Sequence, residues 1–332
     1  MSINKVYLDN EMLIDLSTDT VSSAGDIAKG KIGHLNTGEV VTGTLEGGGG
    51  GDSEIVAKLI GENTAGSIDL DLSNDTFTSL RSYALYYNSA IRSIILPTTI
   101  TKILNNAFQN CTKLASINIA ELSNLKSLGG YLMSNTLITD ITLPASVNSV
   151  SAYTFYSMAN LKTLDMSACT TMTLIPQYLA NNCSSLETVT LPDSVTSLGT
   201  NGFQNDSKLT TLHLPNSLGT ISNYLCHTCT ALSTLVLPSN ITSIGNYAFQ
   251  YSGLTAITIP QRVTSVGGQT FGGCSKLTEV HFLGKPTTIA TSAFNGCTNL
   301  LDIYVPWSYG QVSGAPWGAT KAQIYYDYVE DD

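Results

Sequence analysis

Apolar and polar residues follow one pattern that recurs about ten times between residues 68 and 306. Each copy starts with an apolar residue, one residue free to face outward and a second apolar residue, and in most copies a proline comes next. The position after this triplet recurs at steps of 22 to 25 residues. The apolar pairs of the triplets are Ile94 and Leu96, Ile117 and Ile119, Ile141 and Leu143, Leu164 and Met166, Val189 and Leu191, Leu212 and Leu214, Leu235 and Leu237, Ile257 and Ile259, Val280 and Phe282, and Ile303 and Val305.

Each triplet predicts a short strand with one buried face, because successive side chains on a strand point to opposite sides. Further apolar residues complete each copy, as Ile241, Ile244, Phe249 and Leu254 do. A single copy is too short to bury these side chains alone, whereas stacked copies bury them as a continuous column. The sequence therefore predicts a solenoid.

The full pattern is apolar-x-apolar-Pro, then Ile-x-x-Ile-Gly-x-x-Ala-Phe, then Asn/Gly-Cys-x-x-Leu. It resembles the BspA-like leucine-rich repeats of bacteria and their phages over roughly 70% of the chain. The resemblance implies an α/β repeat solenoid of about ten coils, each with a short strand and a short helix or turn. The copies at Ala120 and Ser167 lack the proline, so we expect their local geometry to differ.

The pattern divides the chain into four parts. Residues 1–46 form an N-terminal module, 47–52 a glycine-rich linker, 53–306 the solenoid and 307–332 a C-terminal cap. Short helices are predicted at residues 21–28 and 53–59, and a turn between two strands at residues 36–38. Residues 19–44 resemble a segment that precedes the variable distal domain of phage tail proteins. This resemblance implies that residues 1–46 attach the chain to other tail proteins.

Composition restricts the classes of partner. The formal net charge is −10 and only 12% of residues are charged, which argues against nucleic acid and against an anionic membrane surface. No run of 18 apolar residues predicts a membrane span. The first residues lack the apolar core of a secretory signal, so we expect no export by the usual route.

Catalysis and metal binding have little support in the sequence. There is no Gly-x-Ser-x-Gly elbow, phosphate loop or His-Glu-x-x-His motif. The seven cysteines fall in repeat columns, which favours small buried hydrophobic residues over redox or zinc chemistry. Asp69, Asp71 and Asp75 could bind calcium, although alternating aspartates are commoner on the exposed face of a strand. We therefore predict a non-enzymatic protein without a metal or cofactor.

Two sets of residues are candidates for recognition. The first set faces outward from the predicted strands, in rows about 45–50 Å long at the usual strand spacing. Threonine suits an exposed strand, so these rows are either ordinary surface or an extended face for a glycan or protein. The candidates in this set are Thr142, Asp165, Thr190, His213, Thr258, His281 and Tyr304, and an adjacent row includes Glu279 and Asp302.

The second set is a series of tyrosines on the non-strand side of the coils. They either pack coil on coil or form a recognition ridge, because tyrosine offers a large contact area at low entropic cost. The aromatic residues of the tail present the same choice between a cap and a ligand platform. The tyrosines of this set are Tyr83, Tyr131, Tyr153, Tyr178, Tyr224 and Tyr247.

These observations predict a non-enzymatic binding protein. Together with the resemblance to tail proteins, they indicate a phage or prophage tail component, located in the virion, that binds a bacterial cell-surface glycan or protein. The alternatives are a structural virion part and a bacterial surface adhesin. Tail proteins of this kind are often trimers, so a homo-oligomer stays an option, although no heptad run marks one.

Overall fold

The computed structural model describes residues 68–328 without interruption, together with five short strands that precede them. The strand Lys5–Leu8 pairs antiparallel with Glu11–Asp15, and a second small sheet contains Thr20–Val21, Gly33–Leu35 and Val40–Val41. The turn predicted at residues 36–38 lies between the last two strands but outside the described residues. The predicted linker and both predicted helices also lie outside them, apart from Val21, which is in a strand.

The chain forms two compact units, residues 1–160 and 161–332. The solenoid repeat accounts for residues 68–160 of the first unit and for the described part of the second, with about 11 turns in all. The strands of the predicted triplets form the long-strand face, and neighbouring strands within a sheet are parallel and one coil apart. In the first unit these strands are Ile68–Asp71, Ile91–Ile95, Ser116–Ile117 and Asp140–Thr142; in the second they are Thr163–Asp165, Thr188–Thr190, Thr211–His213, Ala256–Ile259, Glu279–Phe282, Asp302–Tyr304 and Gln323–Tyr325.

Each coil also carries a two-residue strand, and of the two alternatives expected for the rest of the coil, a short helix or a turn, the turn is the one that forms. The 68–328 range contains no α-helix, and its single helical turn is the 3-10 turn Ile119–Glu121, in one of the copies that lacks proline. The short strands instead carry the second of the two spaced apolar residues, such as Ile103 and Ile244. They are Ser79–Leu80, Lys102–Ile103, Ser127–Leu128 and Ser149–Val150 in the first unit, and Leu174–Ile175, Ser197–Leu198, Thr220–Ile221, Ser243–Ile244, Ser265–Val266 and Thr288–Ile289 in the second.

The third side of each coil is a series of turns, which we name the turn face. The hydrogen bonds made there explain why no helix forms. Alternate backbone N–H groups donate to the next coil rather than to the preceding turn of the same coil. In the second unit Tyr224, Cys226 and Thr228 donate to the carbonyls of Asn246, Ala248 and Gln250 at 3.1, 2.7 and 2.8 Å. A helix would need these donors for its own carbonyls four residues earlier. Stacking therefore replaces helix formation in this segment.

Two left-handed positions four residues apart shape each of these turns. The first has φ between 51° and 63° and is occupied by all six tyrosines of the predicted series and also by Asn106, Asn201 and Gln269. Left-handed backbone costs an L-residue about 1–2 kcal/mol, and asparagine tolerates it best after glycine. The tyrosines are thus held in a strained conformation by the hydrogen bonds between coils.

The core consists of columns that run from coil to coil. Phe249, Phe271 and Phe294 are fully buried, and their rings stack at centroid distances of 5.6 and 5.3 Å. The closing leucine is buried in most coils, but Leu137 is 45% exposed and the adjacent Ile138 takes the core position. The periodic pattern of the sequence thus identified the core with an error of one residue in that coil.

The last coil closes the second unit. Gln323–Tyr325 adds a strand to Asp302–Tyr304 in parallel register. Trp307 and Trp317 are buried and pack against the ring of Phe282 at 5.4 and 6.1 Å. Both tryptophans therefore belong to the core and do not form a ligand platform. In the part of the chain described, no helix combines the length and apolar character needed to cross a membrane.

All seven cysteines are buried free thiols, which confirms the prediction that they act as small core residues. The thiols of Cys111, Cys229 and Cys297 each donate to a main-chain carbonyl of the preceding coil at 3.0 Å. Burial raises the pKa of Cys111 and Cys297 to about 12. The thiolate, which is the reactive and metal-binding form, is therefore suppressed in this column.

Asp206 occupies the cysteine position in its own coil. It is fully buried, its Oδ1 accepts a hydrogen bond of 2.7 Å from the Cys183 amide, and its Oδ2 has no hydrogen-bond partner. Burial, reinforced by the neighbouring Cys229, raises the pKa of this carboxyl well above its usual range. The acid is therefore neutral in the folded protein at pH values where it is ionised in the unfolded chain.

We predict that Asp206→Asn stabilises the protein at pH 7.5, because the amide keeps the acceptor for Cys183 and has no charge to lose. Since the folded-state pKa is raised, the native acid loses stability as pH rises above the ordinary carboxyl pKa of about 3.9. The gain is expected to be about 1–3 kcal/mol near neutrality and to vanish toward pH 4. Urea unfolding at both pH values measures it, with the exposed Asp193→Asn as control. A gain that does not change with pH would contradict this account.

The left-handed column gives a second prediction. Tyr224, with φ of 56°, stacks on Tyr247, and both Tyr224→Asn and Tyr224→Val remove that stacking. Valine is expected to be less stable than asparagine by about 1–2 kcal/mol, because a β-branched residue fits left-handed backbone poorly. In the control pair Lys102→Asn and Lys102→Val, at an exposed strand position, the order should reverse. Equilibrium unfolding decides, and equal stability of the two Tyr224 variants would show that φ is not limiting there.

Candidate recognition surface

The long-strand face brings several sequence-predicted residues into line. In the second unit Asp165 pairs in register with Thr190, and Thr190 with His213. His213 is exposed and the other two are partly exposed. Asp165 and His213 are separated by one strand, about 10 Å at the usual spacing. Asp165 instead accepts a hydrogen bond from the Ser167 amide at 2.9 Å.

The strands that carry the predicted rows do not form one continuous sheet. In the first unit the pairing of long strands stops after Ser116–Ile117. The Asn118 side chain there bonds both the N–H and the C=O of Leu96, at 2.8 and 3.0 Å, in place of a backbone partner. The exposed Thr142 follows in a separate strand. Near the first strand, Asp69 is bound to Arg92 and Ser93, so its carboxylate already has cationic and hydroxyl partners.

A second interruption lies in the second unit. The triplet at Leu235 and Leu237 predicts a strand, but residues 232–238 form none. One sheet ends at Thr211–His213, and another begins at Ala256–Ile259. Among the described residues, the backbone of 234–237 makes no hydrogen bond to either neighbour. Val236, the outward residue of this triplet, is 87% exposed, and Leu214 and Leu235 are only partly buried.

A groove lies on each side of this segment. The larger, of about 770 Å³, separates it from the following coil and is lined by Val236, Leu237, Ile257, Leu283 and Arg262 among others. The smaller, of about 360 Å³, separates it from the preceding coil beside Leu212 and His213. We name residues 234–237 with these two grooves the sheet gap. Its larger groove has the size of a small-molecule or peptide site.

Aromatic residues gather at the other end of the same face. Thr258, His281 and Tyr304 align in register, as the sequence predicts, and Tyr325 continues the row. The rings of His281 and Tyr304 stack at 4.5 Å and those of Tyr304 and Tyr325 at 4.8 Å. Tyr328 packs at 4.7 Å from Tyr304.

Two carboxylates border this stack. Glu279 hydrogen-bonds His281, and the Tyr325 hydroxyl donates to Asp302 at 3.2 Å. Partial burial and the nearby Asp302 and Glu279 raise the pKa of Tyr304, and burial with Asp302 does the same for Tyr325. We name this set the aromatic–acidic patch; its members are Glu279, His281, Asp302, Tyr304, Tyr325 and Tyr328.

The sequence places Glu279, Asp302 and Tyr304 on the exposed face but assigns Tyr325 and Tyr328 to the cap. The alternation of Gln323, Ile324 and Tyr325 was the available signal for an additional strand. It falls outside the repeat period, and pairing with the preceding strand is what brings these tyrosines into the patch.

The tyrosines of the turn face form local stacks. Tyr131 and Tyr153 stack at 4.9 Å in the first unit, and Tyr224 and Tyr247 at 4.7 Å in the second. Tyr83 contacts Tyr86 edge-on, and Tyr178 is half-buried. His227 lies between Tyr224 and Tyr251, and its pKa is lowered by burial. These ring contacts supply the packing of coil on coil that is one of the two alternatives for this series, and a recognition role for it stays a prediction.

The described residues contain no group of three or more histidine, cysteine, aspartate or glutamate side chains that could hold a metal ion. What the fold does offer is a repeat scaffold with an exposed strand face, a sheet gap and an aromatic–acidic patch. Leucine-rich repeat proteins are typically non-enzymatic binding scaffolds that mediate interactions between proteins. The geometry is therefore that of a binding scaffold.

Comparison with known proteins identifies the family. Residues 78–210 and 201–315 match the BspA type leucine rich repeat region, in six copies. Because this match covers well over half of the chain, the protein belongs to the BspA-type leucine-rich repeat family. The resemblance of the repeats to the BspA-like family is thereby confirmed.

One solved structure supports the fold, and a second similar protein is given with it. A leucine-rich repeat protein from Bacteroides ovatus is 22% identical and aligns over 79% of this chain and 73% of its own, with a TM-score of 0.63. The pneumococcal vaccine antigen PcpA is 19% identical, with coverage of 81% and 91% and a TM-score of 0.44. No curated protein sequence matches the chain.

The sheet gap predicts a local difference in hydrogen exchange. The amides of Leu235, Val236 and Leu237 are expected to exchange rapidly, because no carbonyl accepts their protons, while those of the central strand Thr188–Thr190 are protected. Exchange of the full chain followed by mass spectrometry compares the two segments directly. Equal protection of both segments would show that the strand ladder is continuous in solution.

Proposed function

We propose that this protein is a non-enzymatic receptor-binding component of a phage or prophage tail, which recognises a bacterial cell-surface glycan or protein through its long-strand face. The observation that carries the proposal is the aromatic–acidic patch. Four rings and two carboxylates meet on a partly exposed strand face. The packing of the coils, which is made by buried apolar side chains, does not require such a polar and aromatic cluster.

The chemistry of the patch favours ligands that donate hydrogen bonds or carry positive charge. Because the rings of His281, Tyr304 and Tyr325 stack on one another, part of each ring face is covered by its neighbour. Asp302 and Glu279 accept hydrogen bonds from hydroxyls or amines, and both sugars and basic side chains offer these groups. A protein with a net charge of −10 attracts cationic groups as well.

The location in a tail is supported by the resemblance of residues 19–44 to tail-protein segments. In such an assembly, many copies each make weak contacts, and the effective concentration of neighbouring sites raises the overall affinity. Residues 1–46 would then attach the chain and the solenoid would face the host. A surface adhesin that uses the same face is the alternative location.

The proposal predicts that labelled full-length protein binds saturably to intact cells of candidate host bacteria. Tyr304→Ala and Tyr328→Ala should each weaken binding by about tenfold or more, as central aromatic contacts do. Periodate treatment of the cells removes glycan recognition, and protease treatment removes protein recognition, so the two treatments identify the receptor class.

Tyr131→Ala and Tyr153→Ala on the turn face are matched controls, and circular dichroism verifies the folding of all four variants. Equal losses from both pairs would exclude the aromatic–acidic patch as the contact surface. Absence of saturable binding to every candidate host would refute the receptor-binding function and favour a structural role in the virion.

A further inference from the structure

The sheet gap is a local opening in the long-strand face of the second unit. At one end the Ser233 carbonyl accepts the Thr255 amide at 3.1 Å, and at the other the Thr242 amide donates to Gly219 at 2.8 Å. The coil is thus hydrogen-bonded to its neighbours on both sides of residues 234–237. The segment 234–237, about 13 Å long if extended, pairs with neither the sheet that ends at Thr211–His213 nor the sheet that begins at Ala256–Ile259.

The walls of the gap present unpaired backbone groups. Thr211–His213 is the terminal strand of one sheet and Ala256–Ile259 the terminal strand of the next. Each therefore has a free edge toward the gap, and residues 234–237 add their own amides and carbonyls. Such edges are templates for an additional strand, because main-chain donors and acceptors satisfy one another at regular spacing.

The charge of the gap differs from that of the whole protein. Neither groove is lined by a carboxylate, although the chain carries 25 acidic residues. The charged or titratable side chains in the lining are Arg262 and His213, and Arg262 donates to Asn240 at 3.0 Å. The lining of the larger groove also includes the apolar side chains of Val236, Leu237 and Ile257. The gap is therefore complementary to an apolar segment that carries a negative charge.

We infer that the sheet gap binds an extended, apolar and acidic peptide segment of a partner protein by strand addition. The segment pairs with a free strand edge through its main chain, places alternate apolar side chains beside Val236 and Ile257, and sets a carboxylate against Arg262. A glycan lacks the regular alternation of amide donors and carbonyl acceptors that these edges complement. The inference builds on the proposed binding function and assigns one of its contacts to a protein partner.

The test uses purified full-length protein and a defined probe, the acetylated and amidated peptide Thr-Val-Thr-Val-Glu. We expect the probe to slow exchange at the amides of residues 234–237 at least tenfold while exchange at Thr188–Thr190 is unchanged. The same peptide with N-methyl groups on alternate amides keeps the side chains but removes main-chain donors, and it should not protect the segment. A version that ends in lysine should bind more weakly because of Arg262.

Variants locate the contact. Val236→Asp and Arg262→Glu should each weaken probe binding about tenfold, which corresponds to about 1.4 kcal/mol. Leu301→Asp and Lys285→Glu are matched controls, because these exposed residues do not line the gap. They should leave the affinity for the probe unchanged.

Three outcomes would overturn the inference: no protection by the probe, equal protection by the N-methylated peptide, or equal losses in the control variants. The readout is binding of a peptide in solution, independent of host cells. Probe binding without cell binding would refute the receptor function alone, and cell binding that depends on Tyr304 without probe binding would refute the strand-addition site alone.

Discussion

Backbone hydrogen bonding from coil to coil is the constraint on which this structure depends. Each coil has only two short strands and a turn, and none of these is stable by itself. On the turn face, amides such as that of Tyr224 donate to the next coil, which denies them to a helix. The same ladder holds tyrosines in left-handed backbone, a strain that the stacked coils sustain together.

The columns of the core show how much variation this ladder tolerates. The position filled by cysteine in several coils accepts Asn88 and even the carboxyl of Asp206. Each is accommodated because the backbone offers donors at that place: the Ala90 and Ile91 amides bond Asn88, and the Cys183 amide bonds Asp206. The carboxyl is the poorer fit, since one of its oxygens is left without a partner.

The features of the long-strand face that differ from the regular repeat lie where the ladder is interrupted or extended. Where residues 234–237 leave both sheets, apolar side chains and strand edges become accessible. Where Gln323–Tyr325 extends the last sheet, rings from the tail join Tyr304 and His281. A regular solenoid presents the same surface in every coil, so the surface sites that distinguish one coil from another lie at such irregular places.

The sequence by itself determined the solenoid, its period, the core columns and the outward position of residues such as His281 and Tyr304. Side-chain periodicity encodes these properties coil by coil, because alternation decides which residues are buried. Only the tertiary structure decided that the turns form no helix, that the Leu235 triplet forms no strand and that Tyr325 joins the patch. Those outcomes depend on which carbonyl of a neighbouring coil accepts each amide proton. The stacking of the coils determines this pairing, and the local residue type does not.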